Sequence, residues 1–272
     1  MTPDELEQRI AEFTQWQYRF EFDDGVTTSV PDGRLINRQE QRRRYFFDAL
    51  LRLYGGSLRG HRVLDLGCSA GFWSLAAIEA GADFVLGIDA RGTPIEQARL
   101  VFEAKGIDPA RYGFEERDIF EREPSGSFDI VLCLSLMNHL ANPVELFELM
   151  AGTGAETIVV ETELSRSLGS SFALSSSADG RKAVKHEIVL IPSRDAVVEL
   201  ADDFGYRTVP LALNMTDYTG LNDYRRQRRL AFMCSKSKPL EMLPVQERSL
   251  APWWLSGLDP RRALQQLRGP VG

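Results

Sequence analysis

Apolar positions along the middle of the chain switch between two periods. Residues 61–66 (HRVLDL) form a short β-branched apolar run that ends in a glycine-containing loop, and residues 72–80 follow with helical spacing. Further strands are predicted at 84–88, near 112–117, at 128–136 (FDIVLCLSL) and at 157–160 (TIVV). Thr93-Pro94-Ile95-Glu96 has the grammar of a helix start, with Thr93 as N-cap, Pro94 at the first helical position and Glu96 placed for a capping box. Asn142-Pro143-Val144-Glu145 repeats that grammar ahead of a helix running through Met150. Strands alternating with helices at this spacing predict βαβ units and a parallel sheet covered on both faces, a doubly wound α/β fold. Its ligand belongs at the carboxyl ends of the strands.

Three regions surround this core. Residues 1–55 open with a helix capped by Thr2-Pro3-Asp4-Glu5, pass through the aromatic segment WQYRFEF (16–22) and reach a basic helix around 38–51. They are expected to form an N-terminal helical lid on a ligand-binding domain at 56–236. Within that domain the Ser/Gly-rich stretch 165–180 reads as a mobile loop, 193–204 as a helix, and VPLAL (209–213) and RRLAFMCS (228–235) as the last two strands. The tail 237–272, with Pro239, Pro244, Pro252 and Pro260 among its residues, is expected to be irregular.

Composition narrows the classes. With 272 residues, 43% hydrophobic and 26% charged, the chain can bury a large core without disulfide staples. A formal net charge of −7 argues against a protein that coats nucleic acid. The acidic start MTPDELEQRI is unlike a signal peptide, no segment approaches a membrane span, and the three cysteines are scattered. A reduced cytoplasmic location is the expectation.

The loop after the first strand, Asp65-Leu66-Gly67-Cys68-Ser69-Ala70-Gly71, carries the chemistry. Gly67 lets the chain turn tightly, and Gly71 is expected to let the backbone approach a ligand closely. The dinucleotide fingerprint G-x-G-x-x-G would need glycines where Ser69 and Phe72 stand, and no P-loop is present, so a pyrophosphate cradle is disfavoured. VLDLGCSAGFWSL resembles the glycine motif of class I S-adenosylmethionine-dependent methyltransferases, with Ser69 in place of the middle glycine. Asp89 in VLGIDA, 24 residues after Asp65, matches the acid that takes both ribose hydroxyls in that superfamily. A carboxylate offers two acceptor oxygens to a vicinal diol.

The resemblance implies a seven-stranded, mostly parallel, Rossmann-like sheet and S-adenosyl-L-methionine as cofactor. It also implies that Ala90, Asp118 and Ile119 border the adenosine, and that Leu134 and Ser135 border the methionine arm. A second similarity links residues 16–28, MNHLANP (137–143), VVETEL (159–164) and residues 191–206 to methyltransferase-like proteins related to the tRNA wobble-uridine carboxymethyltransferases. Gln17 and Arg19 depart from that pattern, and it implies an N-terminal segment closing over the cofactor more than it implies a substrate.

Methyl transfer needs acceptor and methyl held in line, and a base for the acceptor proton. His139, just after the fourth strand, is the preferred base, with a backbone-bonded loop histidine as the alternative. His186 is the second candidate near the acceptor, while His61 precedes the first strand at the far end of the sheet and reads as structural. Tyr18, Asn138 and Glu161 are expected to line the acceptor pocket. Glu161 and Glu163 could bind hydroxyls, help hold a divalent metal or simply be solvated; the ligand set is incomplete, so no metal is expected.

Gln39 and Arg43 could reach the cofactor's carboxylate, or Arg42–Arg44 could be a solvated face. Arg225, Arg226, Arg228 and Arg229 could contact RNA, an acidic substrate or another subunit. Trp253-Trp254 is expected to pack onto the core or onto a second copy, which leaves a homo-oligomer open. The reading that unites these residues is O-methylation of a small-molecule hydroxyl on a sugar or natural product. A tRNA-modifying enzyme and a catalytically silent cofactor-binding module are the alternatives.

Overall fold

A computed structural model describes residues 1–176 and 188–247. Seven strands form one sheet: β1 (Arg62–Leu66), β2 (Phe84–Asp89), β3 (Tyr112–Glu116), β4 (Ile130–Leu134), β5 (Thr157–Glu163), β8 (Arg207–Pro210) and β9 (Arg229–Ser235). Their order is β3-β2-β1-β4-β5-β9-β8. The first five run parallel, and β9 is antiparallel to both of its neighbours. Reversal of strand order beside β1 creates a switch point between β1 and β4, where a crevice opens at the carboxyl ends. The seven-stranded, mostly parallel, Rossmann-like expectation therefore holds.

Each face of the sheet buries its own apolar cluster. Beneath one face lie α2 (Gly33–Leu53), α3 (Phe72–Glu79) and α4 (Gly92–Ala104), together with the aromatic N-terminal segment. Beneath the other lie α5 (Pro143–Gly152) and α6 (Arg194–Asp203). The first helix, α1 (Pro3–Ala11), starts with the predicted capping box: Thr2 and Glu5 bond each other's backbone N–H groups. Ser193 caps α6 by accepting from Ala196 N–H at 3.1 Å.

Two local expectations are corrected. Helix α4 begins two residues early, so Arg91 rather than Thr93 is its N-cap. The Asp89 carboxylate accepts the Arg91 N–H at 3.0 Å and closes that turn itself. The stretch 165–180 contains a strand, β6 (Phe172–Ser176), paired antiparallel with β7 (Ile188–Pro192). Its base is tied down: Ser165 N–H donates to Pro192 C=O, and Leu190 N–H donates to Leu140 C=O. His186 and Trp253-Trp254 lie outside the described residues. No helix among the described residues is long and apolar enough to cross a membrane.

Candidate functional site

The glycine loop folds as its residues dictate. Gly67 (φ +70°) and Ser69 (φ +50°) both take left-handed backbone, and the N–H groups of Gly67 and Cys68 share the Ile88 carbonyl. A serine in that conformation is uncommon and marks a held loop. Gly71 (φ +75°) precedes α3, and a Cβ there would lie 3.1 Å from Ala98 Cβ and 3.2 Å from the Phe114 ring. Close packing of α3 against α4 and β3, together with the left-handed backbone, demands glycine at 71. Cys68 is a buried free cysteine.

Asp65 and Asp89 flank this loop. Asp65 is 1% exposed and accepts one hydrogen bond, from Ser74 Oγ at 2.6 Å; its Oδ1 is buried without a partner. Burial pushes its carboxyl up to about 7, opposed by the Ser74 hydroxyl and reinforced by the nearby Asp89 charge. A buried acceptor with no donor is costly, so it calls for a cationic or N–H-bearing group.

Asp89 is held differently. Ser69 N–H donates to its Oδ2 at 2.9 Å, and the Arg91 guanidinium forks it, Nε to Oδ1 at 2.9 Å and Nη2 to Oδ2 at 3.0 Å. Asp89 thus stands at the expected place with Arg91 across the oxygens a diol would use. A nucleoside gains both acceptors only when Arg91 turns aside.

The N-terminal segment lies against this loop. Gln17 Oε1 accepts from Ser69 Oγ at 3.0 Å, and the Tyr18 ring stacks on Phe72 with centroids 5.0 Å apart. Tyr18 is buried in an aromatic cluster with Phe20 and Trp73, which makes it a packing residue of the segment in this arrangement.

Gln39 and Arg43 are each engaged by another residue of the chain. Gln39 holds both backbone groups of Arg19, at 2.9 and 2.7 Å, and Arg43 pairs with Glu79 on the surface at 2.6 Å. The residue between them in register, Arg42, is the buried one. Its Nε donates to Tyr224 Oη at 2.9 Å, and its Nη2 donates to Ser135 Oγ at 2.8 Å and Glu161 Oε2 at 3.0 Å. Arg229, at the start of β9, donates from Nη1 to Ser135 Oγ and to Glu161 Oε1, both at 3.1 Å.

Glu161 is fully buried, and Tyr224 Oη–H and Ser135 Oγ–H donate to it as well. The Arg229 and Arg42 charges overcome its burial and hold its carboxyl down at about 2. Saturated in this way, Glu161 organises two arginines instead of offering acceptors to a substrate. Its neighbour Glu163 lies 3.9 Å from Arg228, so the basic stretch 225–229 is partly engaged by the protein itself.

The remaining predicted residues end at the strand tips. Leu134 is buried at the end of β4, and Ser135 follows with φ +64°, a second left-handed non-glycine. His139 closes a 3₁₀ turn over Met137–His139, with Nε2 3.3 Å from Asn138 Nδ2; the Asn138 Oδ1 is buried without a partner. Asp118 follows β3, half-buried, and accepts the Phe120 N–H at 3.0 Å; Ile119 is buried and Ala90 exposed. His61 sits 3.8 Å from Asp129 at the opposite end of the sheet. Among the described residues no group of His, Cys, Asp and Glu is arranged to hold a metal ion.

Sequence reasoning passed over Arg42, Tyr224 and the role of Arg229. A signal for Arg42 was present: it falls on the stripe that also buries Gln39, Tyr45, Phe46, Ala49 and Leu53 along α2.

Comparison with known proteins agrees with this geometry. Residues 57–183 match a family described as a methyltransferase domain. Ubiquinone biosynthesis O-methyltransferases from Acinetobacter baylyi and Neisseria meningitidis are 34% and 38% identical, over 95 and 90 residues. These matches cover 35% and 33% of this chain and 40% and 37% of those proteins, so the chain spans about two fifths of the length of the curated relatives it matches. The N-terminal domain of EvdMO1, crystallised in the presence of SAH and D-fucose, superimposes with a TM-score of 0.66 at 20% identity. That likeness covers 86% of this chain and 97% of the domain, and it shows a shared fold. The sheet order, the glycine loop and the matched span together make this chain's central region a class I methyltransferase domain of the S-adenosylmethionine-dependent type.

Proposed function

We propose that the protein transfers a methyl group from S-adenosylmethionine to a hydroxyl of a small molecule, on a sugar or natural product. The observation that carries the reading is Asp65: a buried carboxyl beside the glycine loop with one oxygen unpartnered, at the crevice where this fold places ligands. An α-ammonium is the group that would satisfy it. The cofactor supplies an electrophilic methyl on a sulfonium, a good leaving group. What remains for the chain is to bind, to orient and to remove a proton.

Asp65 would hold the ammonium, Ser69 N–H and Asp89 the ribose side, and Asp118 and Ile119 the base. His139, at the carboxyl end of β4, is suited to take the acceptor proton near neutral pH. The β6–β7 hairpin and the 16–28 segment border the same end of the sheet and would exclude water there. O-methyl transfer is supported by the names of the sequence relatives, and a sugar acceptor by the D-fucose with which the structural neighbour was crystallised.

The test is calorimetric titration with SAH, followed by methyl transfer to a panel of sugars and phenols. Binding of SAH with loss on Asp65→Asn, and turnover reduced about 10²–10⁴-fold in His139→Ala with binding intact, is the expected result. A well-folded protein that ignores millimolar SAH would overturn it.

A further inference from the structure

A strongly basic turn lies at the carboxyl end of the sheet. Arg225, Arg226, Arg228 and Arg229 are interrupted only by Gln227, in a chain whose net charge is −7. The short helix α7 (Asn222–Arg225) leads into β9, and β9 runs antiparallel to β5. Arg229 stands opposite Glu163, the last residue of β5, and Leu164 N–H donates to Arg228 C=O at 2.7 Å. An antiparallel strand enters where its parallel neighbours leave, so the turn shares the end of the sheet that bears the glycine loop and His139. Neighbouring strands are spaced about 4.8 Å, which sets the start of β9, two strands over, about 10 Å from the exit of β4.

The backbone of this turn is held in place. Gln227 takes left-handed backbone, φ +50°, and its N–H donates to Tyr224 C=O at 2.8 Å, while Arg228 N–H donates to Asp223 C=O at 2.8 Å. Leu221 and Tyr224 anchor it, fully buried. Its own acid, Asp223, is forked by Arg38 at 2.8 and 2.7 Å. The outer arginines are left with little counter-charge. Arg225 and Arg226 are exposed and pair with no carboxylate among the described residues. Arg228 comes no nearer than 3.9 Å to Glu163, and those two side chains are 44% and 41% exposed.

We propose that the turn at Arg225, Arg226 and Arg228 binds a phosphoryl group of the acceptor, so that the acceptor is a phosphorylated sugar. The inference rests on the methyltransferase reading and narrows its substrate class. A phosphoryl group presents up to two charges and three acceptor oxygens, which guanidiniums meet with paired hydrogen bonds. The span of about 10 Å between the exits suits a sugar whose hydroxyl stands at His139 and whose phosphate lies at its other end. Overall charge favours a small ligand over a nucleic acid. A net −7 repels a polyanion, whereas screening over about 8 Å leaves a single phosphoryl group answering to the local cluster. A hexose phosphate and a nucleoside diphosphate sugar share this chemistry.

The experiment is calorimetry on the SAH-loaded full chain with D-glucose, D-glucose 1-phosphate and UDP-D-glucose, each up to millimolar concentration. Wild type is compared with the double variants Arg225→Gln/Arg226→Gln and Arg52→Gln/Arg59→Gln. The second pair removes the same charge from exposed positions ahead of β1, at the opposite end of the sheet. Equal SAH affinity in the three proteins checks that each is folded.

A phosphorylated ligand should bind the wild type about tenfold or more tightly than glucose, and the preference should fall about fivefold or more in Arg225→Gln/Arg226→Gln while surviving in the control pair. Tighter binding of UDP-D-glucose than of D-glucose 1-phosphate identifies a nucleoside diphosphate sugar, and equal binding a hexose phosphate. A preference below about threefold, absence of binding by all three ligands included, overturns the proposal and leaves the methyltransferase reading standing. So does a preference that the control pair loses equally. Binding of tRNA that Arg225→Gln/Arg226→Gln abolishes, with no preference among the sugars, overturns it in favour of nucleic acid. A folded wild type that ignores SAH overturns the methyltransferase reading and the proposal with it.

Discussion

Asp65 in β1 and Glu161 in β5 are two carboxylates in one sheet, separated by β4 and equally withdrawn from water, at 1% and 0% exposure. Their protonation is opposite. Asp65 has one hydroxyl for company and an acidic neighbour, and burial pushes it up to about 7; Glu161 has two guanidiniums and two hydroxyls, and is held at about 2. Burial is common to both, so partners make the difference. Where the chain supplies the counter-charge, a buried acid is architecture. Where it withholds it, the acid keeps an unpartnered oxygen.

The consequences for pH have opposite signs. The carboxyl of Glu161 is depressed below its unfolded value near 4.5, so its stabilising contribution is present above that value and is lost as pH falls towards 2. The carboxyl of Asp65 is raised above its unfolded value near 3.8. Its ionisation penalises the fold increasingly between 3.8 and about 7, and below that upper value a cation arriving beside it displaces a proton.

The contrast breaks most visibly at Glu161. Glu161→Gln leaves Arg42 and Arg229 without their shared counter-charge and should cost about 3–5 kcal/mol in urea unfolding at pH 7; a loss below about 1 kcal/mol would refute its structural role. Asp65→Asn should behave in the reverse sense. Stability is kept or gained, while SAH affinity falls about 10–100-fold, the worth of one charged hydrogen bond at about 1.5–3 kcal/mol.

Wild-type affinity for SAH should weaken as pH drops below 7, by up to about tenfold per unit, and the Asp65→Asn curve should be flat. Titrations in buffers of different ionisation enthalpy would register the released proton. At Asp89, removal of the competing fork in Arg91→Ala should tighten SAH binding by about tenfold or less, about 1 kcal/mol, whereas a loss of affinity would mean that Arg91 contacts the nucleoside itself. Arg43→Ala sets the floor: its exposed pair with Glu79 is worth under about 1 kcal/mol in unfolding, and SAH binding should not move.

How much of this was legible in sequence follows from range. The glycine loop and the acid 24 residues beyond Asp65 depend on local backbone demands and on strand-end placement, and the structure puts them where the βαβ rhythm predicts. An error of two residues arose where a side chain took over a local job, as Asp89 did when it bonded Arg91 N–H and displaced Thr93 from the cap. The larger miss was in α2. Three consecutive arginines, at 42, 43 and 44, are equivalent as composition, but successive residues on a helix point about 100° apart. One is buried against β5 and β9, while Arg43 lies at the surface with Glu79.

The order of strands and helices, the loop chemistry and the two acids that frame it were determined by the sequence, because each is written in contacts between near neighbours. The partners of those acids were decided only by the tertiary structure. Ser74 reaches Asp65, Arg91 covers Asp89, and Arg42 and Arg229 meet on Glu161 from positions 119 and 68 residues away. Electrostatics acts through distance in space, and separation along the chain carries no record of it.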